Sequence, residues 1–180
     1  MGKSSIIIGI ILFLVISSFV LFVEYHITQQ NVPEPWMFKG AYATYEGKID
    51  AVSTPSNINE TIQVIDVNST QVQIQTNSSI TTSFAPTLSD QTISWFNKTN
   101  INFQPKNETL YGTYNTKIMV RNIGSRDCIA YDYTNKAINA TYYIDKALRW
   151  PVRIDYTTIF ENQTYRIVFT LKDTNIKELN

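Results

Sequence analysis

Residues 71–76 read Gln-Val-Gln-Ile-Gln-Thr, and this strict alternation is the strongest constraint the chain places on its own fold. Successive side chains of a strand point to opposite faces, so Val72 and Ile74 go one way and Gln71, Gln73 and Gln75 the other. That is a sheet wetted on one face. A slip of one residue would exchange the two sets, so burial fixes the register. Residues 61–67 have similar composition and are joined to this strand through Asn68-Ser69, which predicts a hairpin.

The pattern recurs along the chain. Strands are expected at 39–52, 111–121, 128–134, 141–146, 151–160 and 163–171. Val152, Ile154, Tyr156 and Phe160 share one face of their strand, and Tyr165, Ile167, Phe169 and Leu171 one face of the last. Short connections predict an antiparallel meander, closed as a half-barrel or a sandwich. The reading is mainly β, with an N-terminal transmembrane helix. Residues 53–59 read as a turn or loop. Residues 77–109 read as a long excursion with a helical turn near 88–96, placed as a lid or an edge-covering loop.

Residues 6–23 carry no charge over 18 positions, about 27 Å as a helix. Lys3 precedes this run and Glu24 follows it, which orients the N-terminus inward and the rest outward. The rival is a cleaved signal peptide. Here the apolar run continues past Ser17-Ser18, and no small-x-small site follows, so an uncleaved anchor is expected. The chain then divides into an anchor with its cytoplasmic tip (1–26), a Pro33/Pro35 stalk (27–38), a β domain (39–175) and a tail (176–180).

Seven N-x-S/T sequons follow the anchor, at Asn59, Asn68, Asn77, Asn97, Asn107, Asn139 and Asn162. About three would arise by chance at this Asn, Ser and Thr content, so N-linked glycans on the outer side are expected. Asn68, Asn139 and Asn162 fall in predicted turns.

Composition removes whole classes of function. Fifteen Lys and Arg balance fifteen Asp and Glu, which leaves no basic surplus for nucleic acid. Cys128 is the single cysteine, so no intrachain disulfide forms, and it reads as a small buried hydrophobe. His26, the single histidine, sits at the membrane boundary. A Ser-His-Asp triad or a zinc site therefore lacks its parts, and no phosphate-binding glycine loop is present. A glycosidase needs only two carboxylates. Glu46, Asp50, Asp66, Asp132, Asp145 and Asp155 are available, but no spacing selects a pair, and cross-strand ion pairs explain Asp132, Asp145 and Asp155. No enzyme and no cofactor are expected. The candidate binding surface is Arg149 and Trp150 in the loop before Pro151, with Trp95 and Phe96.

Residues 141–156, TYYIDKALRWPVRIDY, run from a strand into a D-K-x-x-x-x-P turn and restart at the proline. This hairpin is similar to that of the half-barrel lipoprotein carriers and related lipid-binding domains. Residues 39–52, the low charge and the dense sequons look like membrane-anchored surface proteins of thermoacidophilic archaea. The carrier resemblance implies an apolar concave face holding a lipid or a partner segment, with 77–109 as lid. The functional expectation is a non-catalytic surface protein that binds an envelope component, lipid or protein. The alternative is a structural subunit of a larger envelope complex.

Overall fold

The computed structural model describes residues 34–50, 56–82, 87–98, 109–135, 138–160 and 163–177. Among these residues nine strands form: β1 (Tyr42–Asp50), β2 (Ser56–Val67), β3 (Gln71–Thr82), β4 (Leu88–Asn97), β5 (Thr109–Val120), β6 (Gly124–Thr134), β7 (Ile138–Asp145), β8 (Pro151–Phe160) and β9 (Gln163–Thr174). They make one open sheet in the order β4-β3-β2-β1-β9-β8-β7-β6-β5, every neighbour antiparallel. Of the two expected architectures, the two-sheet sandwich is therefore not the one that forms. A single meander does not form either. Two meanders meet where the first strand pairs with the last, and β4 and β5, consecutive in sequence, lie at opposite edges.

The hairpin at Asn68-Ser69 forms as expected, because the Asn68 side chain accepts hydrogen bonds from the backbone N–H of Thr70 and Gln71. Pro151 starts β8, where its missing N–H costs least. Two expectations are corrected. Residues 88–96 are strand, not a helical turn, and pair along their length with β3. Only one side of an edge strand needs a partner and both faces here are largely wet, so the polar residues that suggested a loop are tolerated. Residues 56–59 belong to β2 rather than to a turn, since Ser56 and Ile58 are in phase with the buried Ile62 and Val64. The apolar run 6–23, Asp50 beyond its backbone pairing, Asn107 and Asn162 lie outside what the structure describes. Among the described residues no helix is long and apolar enough to cross a membrane.

One face of the sheet is the core. Ala43, Tyr45 and Ile49 of β1 continue into Ile58, Ile62 and Val64 of β2 and Val72, Ile74 and Ile80 of β3. On the other side they continue into Ile167, Phe169 and Leu171 of β9, then Ile154 and Tyr156 of β8. Trp36, expected at the end of the stalk, also lies in this core, its ring 4.9 Å from that of Trp150. The opposite face of β1–β3 carries Glu46, Lys48, Asn57, Asn59 and the three glutamines.

At the centre, Gly47 faces Phe169 on β9 and Ile58 on β2. The Phe169 ring fills the space a side chain would need, lying 2.8 Å from where a Cβ would stand. We expect Gly47→Ala to destabilise the fold by about 1–3 kcal/mol in urea denaturation. Gly112→Ala, whose nearest neighbour is 3.5 Å away, should stay within about 1 kcal/mol of wild type.

Candidate functional site

The cluster at 141–156 is held by Asp145. This buried carboxylate accepts from Arg126 Nε at 2.6 Å through one oxygen and from the N–H groups of Ala147 and Leu148 through the other. Its backbone N–H donates to the Trp150 carbonyl, and its carbonyl accepts from the Arg149 N–H. The loop is thereby fixed so that Arg149 adopts φ 51°, a left-handed conformation. Trp150 is buried against Trp36, and its indole lies beside the Tyr45 hydroxyl, which donates to the Pro151 carbonyl at 2.7 Å. Arg149 pairs with Glu34 at 3.2 Å and ties the entering chain to the loop. Burial raises the Glu34 pKa, while Arg149 pulls it back down.

The structure does not bring the four candidate binding residues onto one surface. Trp150 is core. Trp95 is exposed on the outer face of β4, whereas Phe96, the next residue, points to the inner face against Val72. Asp155 accepts from Nε and Nη2 of Arg153, two residues along the same strand, and from Nη2 of Arg166 on β9. Arg153 also sits 5.6 Å over the Tyr143 ring. Burial, Asp155 and a hydrogen bond with Tyr114 push the Tyr143 hydroxyl up to about 12. Asp132 is held by the Thr141 hydroxyl at 2.6 Å rather than by a cation. Cys128 is buried, and its thiol is pushed up to about 11 by that burial first and by Asp145 second, which disfavours the thiolate. Among the described residues no group of three or more His, Cys, Asp or Glu could hold a metal.

Of the sequon asparagines, Asn68 is in its turn, Asn59 and Asn77 are within β2 and β3, and Asn97 ends β4. Asn139 lies just inside β7 rather than in the turn before it. Asn59 opposes Ser79, and Asn77 opposes Thr61, so two sequons lie side by side on the outer face.

Glu60 is the residue that sequence reasoning passed over. It belongs to the buried set of β2, between Ile58 and Ile62, and is only 1% exposed. Its cross-strand neighbours on the inner face are Tyr45 and Ser78, with Asp90 beyond Ser78. Among the described residues neither Glu60 oxygen has a hydrogen-bond partner, nor does the Ser78 hydroxyl, 4% exposed. Desolvation drives the Glu60 pKa well above its ordinary value, which favours the neutral acid. Burial raises the Tyr45 pKa, the Trp150 indole pulls it back, and Glu60, where ionised, adds to the rise. The signal was legible: a glutamate in phase with isoleucines is an acid pointed into a core. It is missed because 53–59 reads as a turn and the strand is expected to begin at Thr61, which leaves Glu60 outside the alternation.

No protein-family model and no curated protein matches the chain. Among solved structures it is similar to a Bacteroides fragilis protein described as exported with a YmcC-like fold, at 10% identity over 77% of this chain and 96% of that one, TM-score 0.47. A Parabacteroides distasonis lipoprotein matches at 9% identity, covering 81% and 100% of the two chains, TM-score 0.49. A Vibrio parahaemolyticus outer membrane lipoprotein-sorting protein domain matches at 8%, covering 76% and 85%, TM-score 0.28.

Two outcomes follow from the side chains. Because the folded-state pKa of Glu60 is raised, its neutral form contributes fully below the ordinary carboxylate range and that stability is lost as pH rises. Urea titrations from about pH 4 to pH 7 should show wild type losing stability with rising pH, and Glu60→Gln losing less. Asp145→Ala should cost about 3–5 kcal/mol, since it strands Arg126 and two loop N–H groups; a cost under about 1 kcal/mol would contradict this role.

Proposed function

We propose that this chain is a non-catalytic extracytoplasmic binding protein, tethered by residues 6–23 and carrying N-linked glycans on its outer side. Its sheet holds an envelope component, lipid or protein, against the apolar face. The observation that carries this reading is the Glu60–Ser78 pair. Buried polar groups are normally satisfied, and an apolar face with a carboxyl and a hydroxyl directly opposite and unpartnered is suited to grip a polar group of an otherwise apolar occupant. Balanced charge supports a partner other than nucleic acid.

A second reading, a structural subunit of an envelope complex, has its own support. Nine large hydrophobic residues are exposed among those described, and seven of them lie on the edge strands β4 and β5. Natural edges are usually blunted by charge or proline.

Native mass spectrometry of the detergent-extracted full chain separates the readings. The binding reading expects a retained component that Glu60→Leu, folded by circular dichroism, loses at least tenfold. Retention by neither protein would overturn it.

A further inference from the structure

We infer that β4 is a self-docking edge, pairing antiparallel with β4 of a second copy across a two-fold axis at Ser94. The inference gives the assembly reading its partner and is independent of the binding reading.

The open side of β4 presents a row of backbone donors and acceptors with no strand beside it among the described residues. Water can satisfy such a row, but another extended strand satisfies it in register and is what an exposed edge templates. On the outer face Ile93 and Trp95 are 52% and 43% exposed, although their neighbours on β3 are Gln75 and Gln73. A solvated face would continue the glutamine pattern. Apolar side chains at the rim of a polar face are what a neighbouring strand would cover.

Topology restricts that neighbour. A second copy that continues both the sheet and its buried face, and pairs antiparallel, must meet β4 with β4; β4 against β5 would be parallel or would turn the buried face over. Pairing like edges is isologous and closes at two copies. The sequence of β4 complements itself in one such register. With Ser94 opposite Ser94, Ile93 meets Trp95 twice and Gln91 meets Asn97 twice, all on the outer face. On the inner face Thr92 meets Phe96, and Asp90 comes opposite Lys98, the residue just past the end of the strand. Lys98 is held beside the strand end by its N–H, which donates to the Thr70 carbonyl. Asp90 therefore faces a base, Ile93 and Trp95 face each other, and no like charges oppose between 90 and 98. Asn97 lies within this interface, so a glycan there and the dimer exclude each other.

The test uses unglycosylated full chain in detergent, its protein mass read by light scattering. Wild type should be a dimer. Asp90→Lys, at an exposed position, should weaken dimerisation at least tenfold by facing Lys98 with a second cation. The double variant Asp90→Lys/Lys98→Asp should restore it. Ser94→Cys should form an intermolecular disulfide on mild oxidation, and Ser89→Cys should not. A monomeric wild type would overturn both this inference and the assembly reading. A dimer indifferent to Asp90→Lys, with Ser94→Cys failing to cross-link, would overturn this inference and leave the assembly reading standing.

Discussion

The pairing of β1 with β9 is the contact on which the rest of the structure depends. Without it, β1–β4 and β5–β9 are two separate meanders, each with an unpaired strand where its core should be. With it, the first and last strands become the middle of one nine-stranded sheet, and the apolar faces of the two halves become one. The join is reinforced beyond the ladder. The Tyr42 N–H donates to Asn175 Oδ1, the Asn175 amide donates to the Gly40 carbonyl, and the Thr174 hydroxyl donates to the Tyr42 carbonyl. A register shift between Thr44 and Tyr45 against β9 places Tyr45 opposite Leu171, pointing inward beside Glu60. The cost is loop closure over most of the chain, which makes such a topology slow to fold.

This arrangement also produces the two features with functional weight. Placing the first and last strands in the centre sends the consecutive strands β4 and β5 to opposite rims, so among the described residues the sheet has two open edges. It also puts a row of polar side chains, Tyr45, Glu60, Ser78 and Asp90, across a face otherwise built of aliphatic and aromatic residues, running from the central strand to the rim. A core built only for stability would place an isoleucine where Glu60 stands, because a neutral carboxyl without partners costs free energy and contributes no compensating bond.

The local part of this fold was readable and the long-range part was not. Alternation in 71–76, the Asn68-Ser69 turn and the restart at Pro151 are short-range signals, and each corresponds to what formed. Strand β4 was missed because an edge strand is stabilised mainly by β3, a neighbour that composition does not reveal. The β1–β9 pairing joins segments more than a hundred residues apart, and neither strand carries a mark naming the other. Arg149 and Trp150 suggested a surface because the loop conformation that buries Trp150 against Trp36 depends on Asp145 and Arg126 together. Glu60 was in phase with its buried neighbours, yet the strand was expected to begin only at Thr61.

Amide hydrogen exchange on the full chain tests the central claim most directly. If β1 and β9 join the halves, their amides around Gly47 and Phe169 should be the last to exchange, later than those of β4 and β5 by about two orders of magnitude or more. Exchange of β1 or β9 as early as the edge strands would show that the halves are not joined as described.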